Sequence, residues 1–296
     1  MEAAITAQRF MYRFGGREYN LSSRTYLMGI LNVTPDSFSD GGQFLARDAA
    51  VKRALRMVEE GADIIDVGGE STRPTGQAYG EGAEVVPEDE EIRRVVPVIE
   101  DILRHVDIPV SIDTYKSGVA RAALKTGASI VNDISGFSFD PAMPSVIADA
   151  GASAVVMHIQ GTPKTMQQNP QYRDLIGEVM SYLEEAVGKG HRAGVQQIII
   201  DPGIGFGKRL EHNLELMGRL DKLRELDCPV LVGPSRKSFI GMLLDVPVAD
   251  RLEGSLAASA ACILNGAHIL RVHDVKETKR VATVIDAIKR SMIHHS

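Results

Sequence analysis

Short runs of Val, Ile and Leu alternate along this chain with longer stretches in which apolar residues recur at three- and four-residue spacing. The runs 26–31, 63–67, 108–112, 129–131, 153–157, 197–200, 230–232 and 268–272 are too short for helices and read as strands buried on both faces. The stretches 48–60, 87–105, 117–125, 141–150, 172–192, 210–225, 249–264 and 276–289 carry the helical period. Gly-Ala or Ala-Gly pairs at 61–62, 127–128, 150–151 and 266–267 end several of them before the next strand. Ahead of the repeat, residues 10–21 alternate apolar and polar around Gly15-Gly16, which predicts a β-hairpin covering one end of the fold, while residues 1–9 have no periodicity.

Eight strand-helix units predict a (β/α)8 TIM barrel with an N-terminal hairpin, one domain over residues 1–296, in preference to an open doubly wound sheet. What ends each strand supports this. The C-terminal limits carry Asn32, Asp66 with Gly68-Gly69, Asp113, Asn132-Asp133, Met157-His158, Asp201, Gly233 with Ser235, and Arg271 with His273. Core packing has no use for carboxamides, carboxylates and an arginine at these positions, whereas a barrel gathers all its strand ends on the face where barrel enzymes do chemistry. Any one of these residues could instead cap a helix, the reading favoured for Asp133. After the first strand, Thr34-Pro35-Asp36-Ser37 and Asp40-Gly41-Gly42 must form an exposed loop.

Composition narrows the partners. With 44% hydrophobic residues in 296 the chain can bury a full core, and its net charge of −6 argues against a nucleic-acid or anionic-membrane surface. An anionic ligand would need a local cluster of cations. Cys228 and Cys262, the two cysteines, lack metal or disulfide spacing and read as buried thiols in a reducing cytoplasm. No segment has the length of a membrane span, and the first residues lack the layout of a signal peptide.

The strand-end residues define a chemistry before any relative is invoked. Asp113 and Asp201 are acceptors, Asn32 and Asn132 amides, and Lys237, Arg271 and loop-borne Arg73 cations. Paired carboxylates with an amide suit a heterocycle edge rich in N–H donors, as in a guanidine-like pyrimidine. Arg271 and His273 point the same way from one strand, and Ser235-Arg236-Lys237-Ser238 precedes an apolar segment that, as a short helix, would make a second anion site with the Ser238 hydroxyl. Two anion sites beside one nitrogen-rich ring imply two substrates. The stretch Asp201 to Lys208 fits neither phosphate-loop pattern, and neither a nucleophile triad nor zinc spacing stands out. A participating metal would be a hard ion held mainly by substrate phosphates, with Asn32 as its natural protein ligand.

The segments GILNVTPDSFSDGG (29–42), DVGGESTRP (66–74), SIDTYK (111–116), VND (131–133), MHIQGTPKTMQ (157–167), DPGIGFGK (201–208), SRKSF (235–239) and RVHDV (271–275) resemble, in order and from about residue 10 onward, the bacterial dihydropteroate synthases. The resemblance implies a folate-pathway transferase that joins 6-hydroxymethyl-7,8-dihydropterin pyrophosphate to p-aminobenzoate and releases pyrophosphate. Carried over by position, it gives Asp113, Asn132, Asp201 and Lys237 to the pterin ring, with Met157 beside it. It gives Asn32, Thr72, Arg271 and His273 to the pyrophosphate, Asn32 through Mg²⁺. Ser238 with Lys237 would hold the aminobenzoate carboxylate, Phe38, Pro74 and Phe206 would wall its ring, and Asp40 and Arg73 would arrive with the first two loops. The catalytic set expected is Asp40, Asp113, Lys237 and Arg271. A cytoplasmic homodimer built through the later helices is implied as well.

Two departures stand out: residues 75–91 are longer than the family's short form, and Pro234 replaces a small hydroxyl residue beside the aminobenzoate region. Two rivals stay open: a methyltetrahydrofolate-type methyltransferase barrel, and a non-catalytic pterin-binding paralogue.

Overall fold

The computed structural model describes residues 10–33, 43–71 and 85–293. Strands β1 (Met11–Phe14) and β2 (Arg17–Asn20) pair antiparallel across Gly15 and Gly16, whose positive φ values of 54° and 84° close the predicted turn. The units that follow are β3 (Tyr26–Asn32) with α1 (Gln43–Glu59), β4 (Ile64–Gly68) with α2 (Glu88–His105), and β5 (Val110–Asp113) with α3 (Ser117–Thr126). They continue with β6 (Ile130–Asp133) and α4 (Met143–Asp149), β7 (Ser153–Met157) and α5 (Leu175–Ala193), and β8 (Ile198–Asp201) with α6 (Leu210–Gly218). The series ends in β9 (Leu231–Val232) with α7 (Ser238–Leu244) and α8 (Leu252–Leu264), and β10 (Ile269–Val272) with α9 (Val275–Ile293).

Eight strands, β3 to β10, pair in parallel in the order β8-β7-β6-β5-β4-β3-β10-β9. A bridge between Ile200 and Val230 joins the two ends of that order and closes the barrel. Helix boundaries moved where local chemistry intervened. The predicted helix 210–225 breaks at Gly218-Arg219 into α6 and a 3-10 turn, Leu220–Leu226, and α8 begins only at Leu252, after a 3-10 turn that Pro247 initiates. Helix α5 starts where the Asp174 carboxylate accepts the Gly177 N–H.

Side chains alternate faces along a strand, and this period of two organises the interior. Outward residues such as Leu27, Ile65, Ile112, Val131, Ala154, Ile200, Val232 and Leu270 pack under the helices in one continuous core. Inward residues at the strands' N-terminal ends, Met28, Ile64, Ile130, Val155, Ile199, Leu231 and Ile269, fill the barrel floor and meet Phe10, Phe14 and Leu21 of the hairpin. The hairpin therefore seals one mouth of the barrel with apolar surface. The other mouth is left for chemistry.

Candidate active site

Two residues along from the floor, the inward positions change character. Met28 is followed by Ile30 and Asn32, Ile64 by Asp66, Ser111 by Asp113, Ile130 by Asn132, Val155 by Met157, Ile199 by Asp201, and Ile269 by Arg271 and His273. Register aligns them into a ring: Asn32 opposes Gly68, Gly68 opposes Asp113, Asp113 opposes Asn132, and Met157 opposes Asp201. A cleft of about 480 Å³ opens at this mouth, lined among others by Asn32, Asp113, Asn132, Met157, Asp201, Phe206, Lys237, Ser238, Arg271 and His273. The strand-end motifs predict all ten at one site. Asp40, Phe38, Thr72, Arg73 and Pro74, expected at the same site, lie outside the described residues.

Charge in the ring is arranged around Asp66, which sequence reading noted at a strand end and gave no role. Arg271 Nε donates to Asp66 Oδ2 at 2.6 Å and Arg271 Nη2 to Asp113 Oδ2 at 2.5 Å, while Asn132 Nδ2 donates to the same Asp66 oxygen at 3.1 Å. Asp66 is fully buried, and its Oδ1 has no hydrogen-bond partner among the described residues. One carboxylate thus orients a guanidinium and a carboxamide that belong to two other strands. Its signal was the inward parity of Asp66 in a run otherwise apolar, but its partners lie 66 and 205 residues away.

Arg271, expected to face the pyrophosphate, lines the cleft and is bound to two carboxylates, which keep its guanidinium charged. Burial pushes the Asp113 carboxyl up while Arg271 pulls it down. Burial also raises Asp201 to about 6, against the Gly203 N–H bonded to its Oδ1 at 2.7 Å and the nearby Lys237 and Lys208. Lys237 falls to about 8 through burial and repulsion by Arg271, and its Nζ sits 4.1 Å from the centre of the Phe206 ring.

His273, also expected at the pyrophosphate, is lowered to about 4 by burial and by Arg271, so it is neutral near pH 7. The Ser235 hydroxyl accepts the His273 backbone N–H at 3.2 Å and lies 3.1 Å from Nδ1. Donating its own proton to Nδ1 satisfies both contacts and places the imidazole proton on Nε2. In this state the imidazole can donate from Nε2 without carrying charge.

Asp133 differs from expectation too. It caps no helix, since α4 begins ten residues later; its carboxylate accepts Ser135 N, Ser135 Oγ and Phe137 N and so fixes the turn that leaves β6. The glycine-rich stretch after β8 is held by Lys208, which is buried and donates to Phe206 O at 3.0 Å and to Nδ1 of a neutral His158 at 2.8 Å. Gly203, with φ 71°, lets this loop come so near β7 that an added Cβ would lie 2.0 Å from His158 O. These contacts set the place of the Phe206 ring.

Metal chemistry has a narrow opening here. Among the described residues no group of three His, Cys, Asp or Glu side chains could hold an ion. Asn32, solvent-exposed on the cleft rim, offers a single neutral oxygen, a donor set suited to Mg²⁺ only if a phosphorylated ligand completes the shell.

The barrel, its polar mouth and the paired carboxylates together define a ring-binding transferase site, and comparison with known proteins gives it a family. Residues 28–273 match the pterin binding enzyme family. The dihydropteroate synthase of Clostridium beijerinckii is 48% identical over 281 residues, 94% of this chain and 99% of that protein. Solved structures agree: Yersinia pestis dihydropteroate synthase, in a sulfonamide drug complex, superposes with a TM-score of 0.87 at 41% identity, covering 95% of this chain and all of that one. The Xanthomonas albilineans enzyme with 4-aminobenzoic acid gives 0.85 at 42%, covering 94% and 98%. The chain belongs to the pterin-binding enzymes, among the dihydropteroate synthases.

Proposed function

We propose that the chain condenses 6-hydroxymethyl-7,8-dihydropterin pyrophosphate with p-aminobenzoate, by a dissociative displacement, in the cleft at the open mouth of the barrel. The observation that carries the reading is the convergence of Asp113, Asn132, Asp201, Lys237 and Arg271 on one cleft. Asp201, Asp113 and Asn132 take the hydrogen-bonding edge of the pterin, with Met157 against its face. Ser238 and Lys237 hold the aminobenzoate carboxylate, and Phe206 walls its ring. Asn32, His273 and the family-implied Thr72 receive the pyrophosphate.

Charge dictates the order of events. Breaking the methylene C–O bond sends its electron pair to pyrophosphate and leaves a cation delocalised into the electron-rich dihydropterin. Asp113 and Asp201, fixed in advance near the ring, stabilise that charge, and Nε2–H of His273 donates to the departing oxygens. The aminobenzoate nitrogen then forms the C–N bond and loses a proton to solvent; an arylamine is nucleophilic at neutral pH, so no strong base is needed. Asn32 would hold Mg²⁺ against the pyrophosphate, where the ion would neutralise leaving-group charge. Arg271, tied between Asp66 and Asp113, spreads its positive charge behind this arrangement.

A product assay tests the reading: dihydropteroate and pyrophosphate should form from the two substrates, and only when Mg²⁺ is added. Pterin binding without product would favour the paralogue, and methyl transfer from methyltetrahydrofolate the other barrel type. We also propose a cytoplasmic homodimer. Exposed Val284, Ile288 and Met292 lie four residues apart on α9, and exposed Leu264 lies on α8, which packs beside it. No helix among the described residues is long and apolar enough to cross a membrane. Light scattering should give twice the chain mass, and a monomer at assay concentration would refute the dimer.

A further inference from the structure

Behind the wall of the cleft, beyond the end of β4, sits a buried charge cluster that the mechanism leaves unused. Lys116 Nζ donates to Glu70 Oε2 and to Glu91 Oε2, each at 2.5 Å, and to Val86 O at 2.8 Å. Tyr115 OH donates to Glu70 Oε1 at 2.6 Å, and Val86 N to Glu70 Oε2 at 2.9 Å. Relative side-chain exposure is 14% for Lys116, 8% for Glu70 and 1% for Glu91. Every ammonium proton has an acceptor and both Glu70 oxygens have donors. Three segments meet at this one nitrogen: the end of β4, the chain entering α2, and the loop leaving β5.

A cluster that served folding alone could stand anywhere, because well-packed apolar residues stabilise as much as buried ion pairs. Two observations tie this one to the cleft. Glu70 and its neighbour Ser71 line the cleft wall, two residues beyond Gly68, the strand partner of Asn32 on one side and of Asp113 on the other. Glu91 also acts on Asp113, its charge adding to the upward push on that carboxyl.

We infer that Lys116 is a positioning residue for the leaving-group side of the reaction: by fixing Glu70 to Val86 and Glu91 it sets where the Glu70-Ser71 peptide lies beside Asn32. The inference rests on the reading of the Asn32 side as the pyrophosphate side. Displacing that wall by a fraction of an ångström would loosen the grip on pyrophosphate and leave the ring pocket of Asp201 and Asn132 as it is.

Calorimetry with two ligands of the same ring, 6-hydroxymethyl-7,8-dihydropterin and its pyrophosphate, separates these effects. Lys116→Met should weaken the pyrophosphate ester about tenfold or more, and raise its KM to match, with the unphosphorylated pterin and the aminobenzoate KM within about twofold. Lys116→Arg, which can still donate to both carboxylates, should recover most of the loss. Should the single variant melt too low to measure, Lys116→Met/Glu91→Gln removes one of the two carboxylates left without the ammonium, Glu70 keeping the Tyr115 hydroxyl and the Val86 N–H as donors, while the ammonium link from Glu70 to Glu91 and Val86 O stays broken, and the same selective loss is expected. Equal weakening of both pterins, or no change in either, would overturn the role given to Lys116. If the wild type itself binds the two pterins equally, the assignment of the pyrophosphate side falls and this inference with it; if the wild type discriminates and the variant does so by the same ratio, Lys116 alone is refuted.

Discussion

The two ends of the barrel interior are built from the same strands, on the same face, about 7 Å apart, yet obey opposite rules. At the floor, Met28, Ile64, Ile130, Val155, Ile199, Leu231 and Ile269 close against the hairpin chiefly with apolar surface. At the mouth, Asp66, Asn132 and Asp201 are buried and Asp113 and Arg271 nearly so; Asp66, Asp113, Asn132 and Arg271 pair across strands, and Asp201 accepts the Gly203 N–H of the loop that follows it. The floor stabilises by removing area from water, an interaction without direction that tolerates exchange among similar side chains. The mouth incurs desolvation for each charge and offsets it only in one geometry. Stability and chemistry are thus divided along each strand.

The sharpest break of this comparison is Asp201→Ala. Losing two hydrogen bonds to a charged acceptor should weaken pterin binding about 10²- to 10³-fold in calorimetry, while the melting temperature holds or rises, because a costly buried carboxylate is gone. Normal pterin affinity in that variant would remove the assignment of Asp201. The converse variant, Ile199→Ala, two residues away on the floor, should cost about 2–5 kcal/mol in denaturant unfolding and leave both KM values within about twofold. A floor substitution that altered KM would show the two ends to be coupled.

Asp66→Asn tests whether the mouth is organised by charge rather than shape. The amide keeps the volume but lowers the attraction for Arg271, and kcat/KM should fall about 10- to 100-fold in steady-state assays. Titration provides a smaller effect of defined sign. Burial raises Asp201 from 3.8 to about 6, so pterin affinity should decline as pH falls through about 6, where the acceptor is protonated. For stability, the folded state holds this proton more tightly than the unfolded chain. The group therefore favours folding most below pH 3.8, and that contribution is lost as pH rises through about 6; Asp201→Asn should remove this slope from a pH series of melts. Smallest of all, Glu18→Ala in the hairpin breaks an ion pair whose side chains are 65% and 66% exposed. It should move the melting temperature by no more than about 2 °C.

The sequence was a good guide wherever the determining interaction is local or periodic. All eight strands, the hairpin with its glycine turn and the inward parity of Asp113, Asn132 and Asp201 follow from an alternation every residue obeys, and the motifs at the strand ends point to pterin and aminobenzoate. Boundaries slipped where single residues decided them, as at Gly218-Arg219 and Pro247. The partnership of Asp66 with Arg271, the neutral state of His273 and the junction at Lys116 were not legible. Each depends on which side chains from remote strands come within hydrogen-bond reach, and on how far water is excluded around them.

The order of apolar and polar positions by itself determined a closed parallel barrel with one sealed end and one chemical end, because backbone pairing and the two-residue period leave few other ways to bury these strands. Only the tertiary structure decided which carboxylate holds Arg271, which imidazole stays uncharged and how Glu70 is fixed beside Asn32. Charge pairing and desolvation depend on distances of a few ångströms between residues far apart in the chain, and those distances exist only once the barrel has closed.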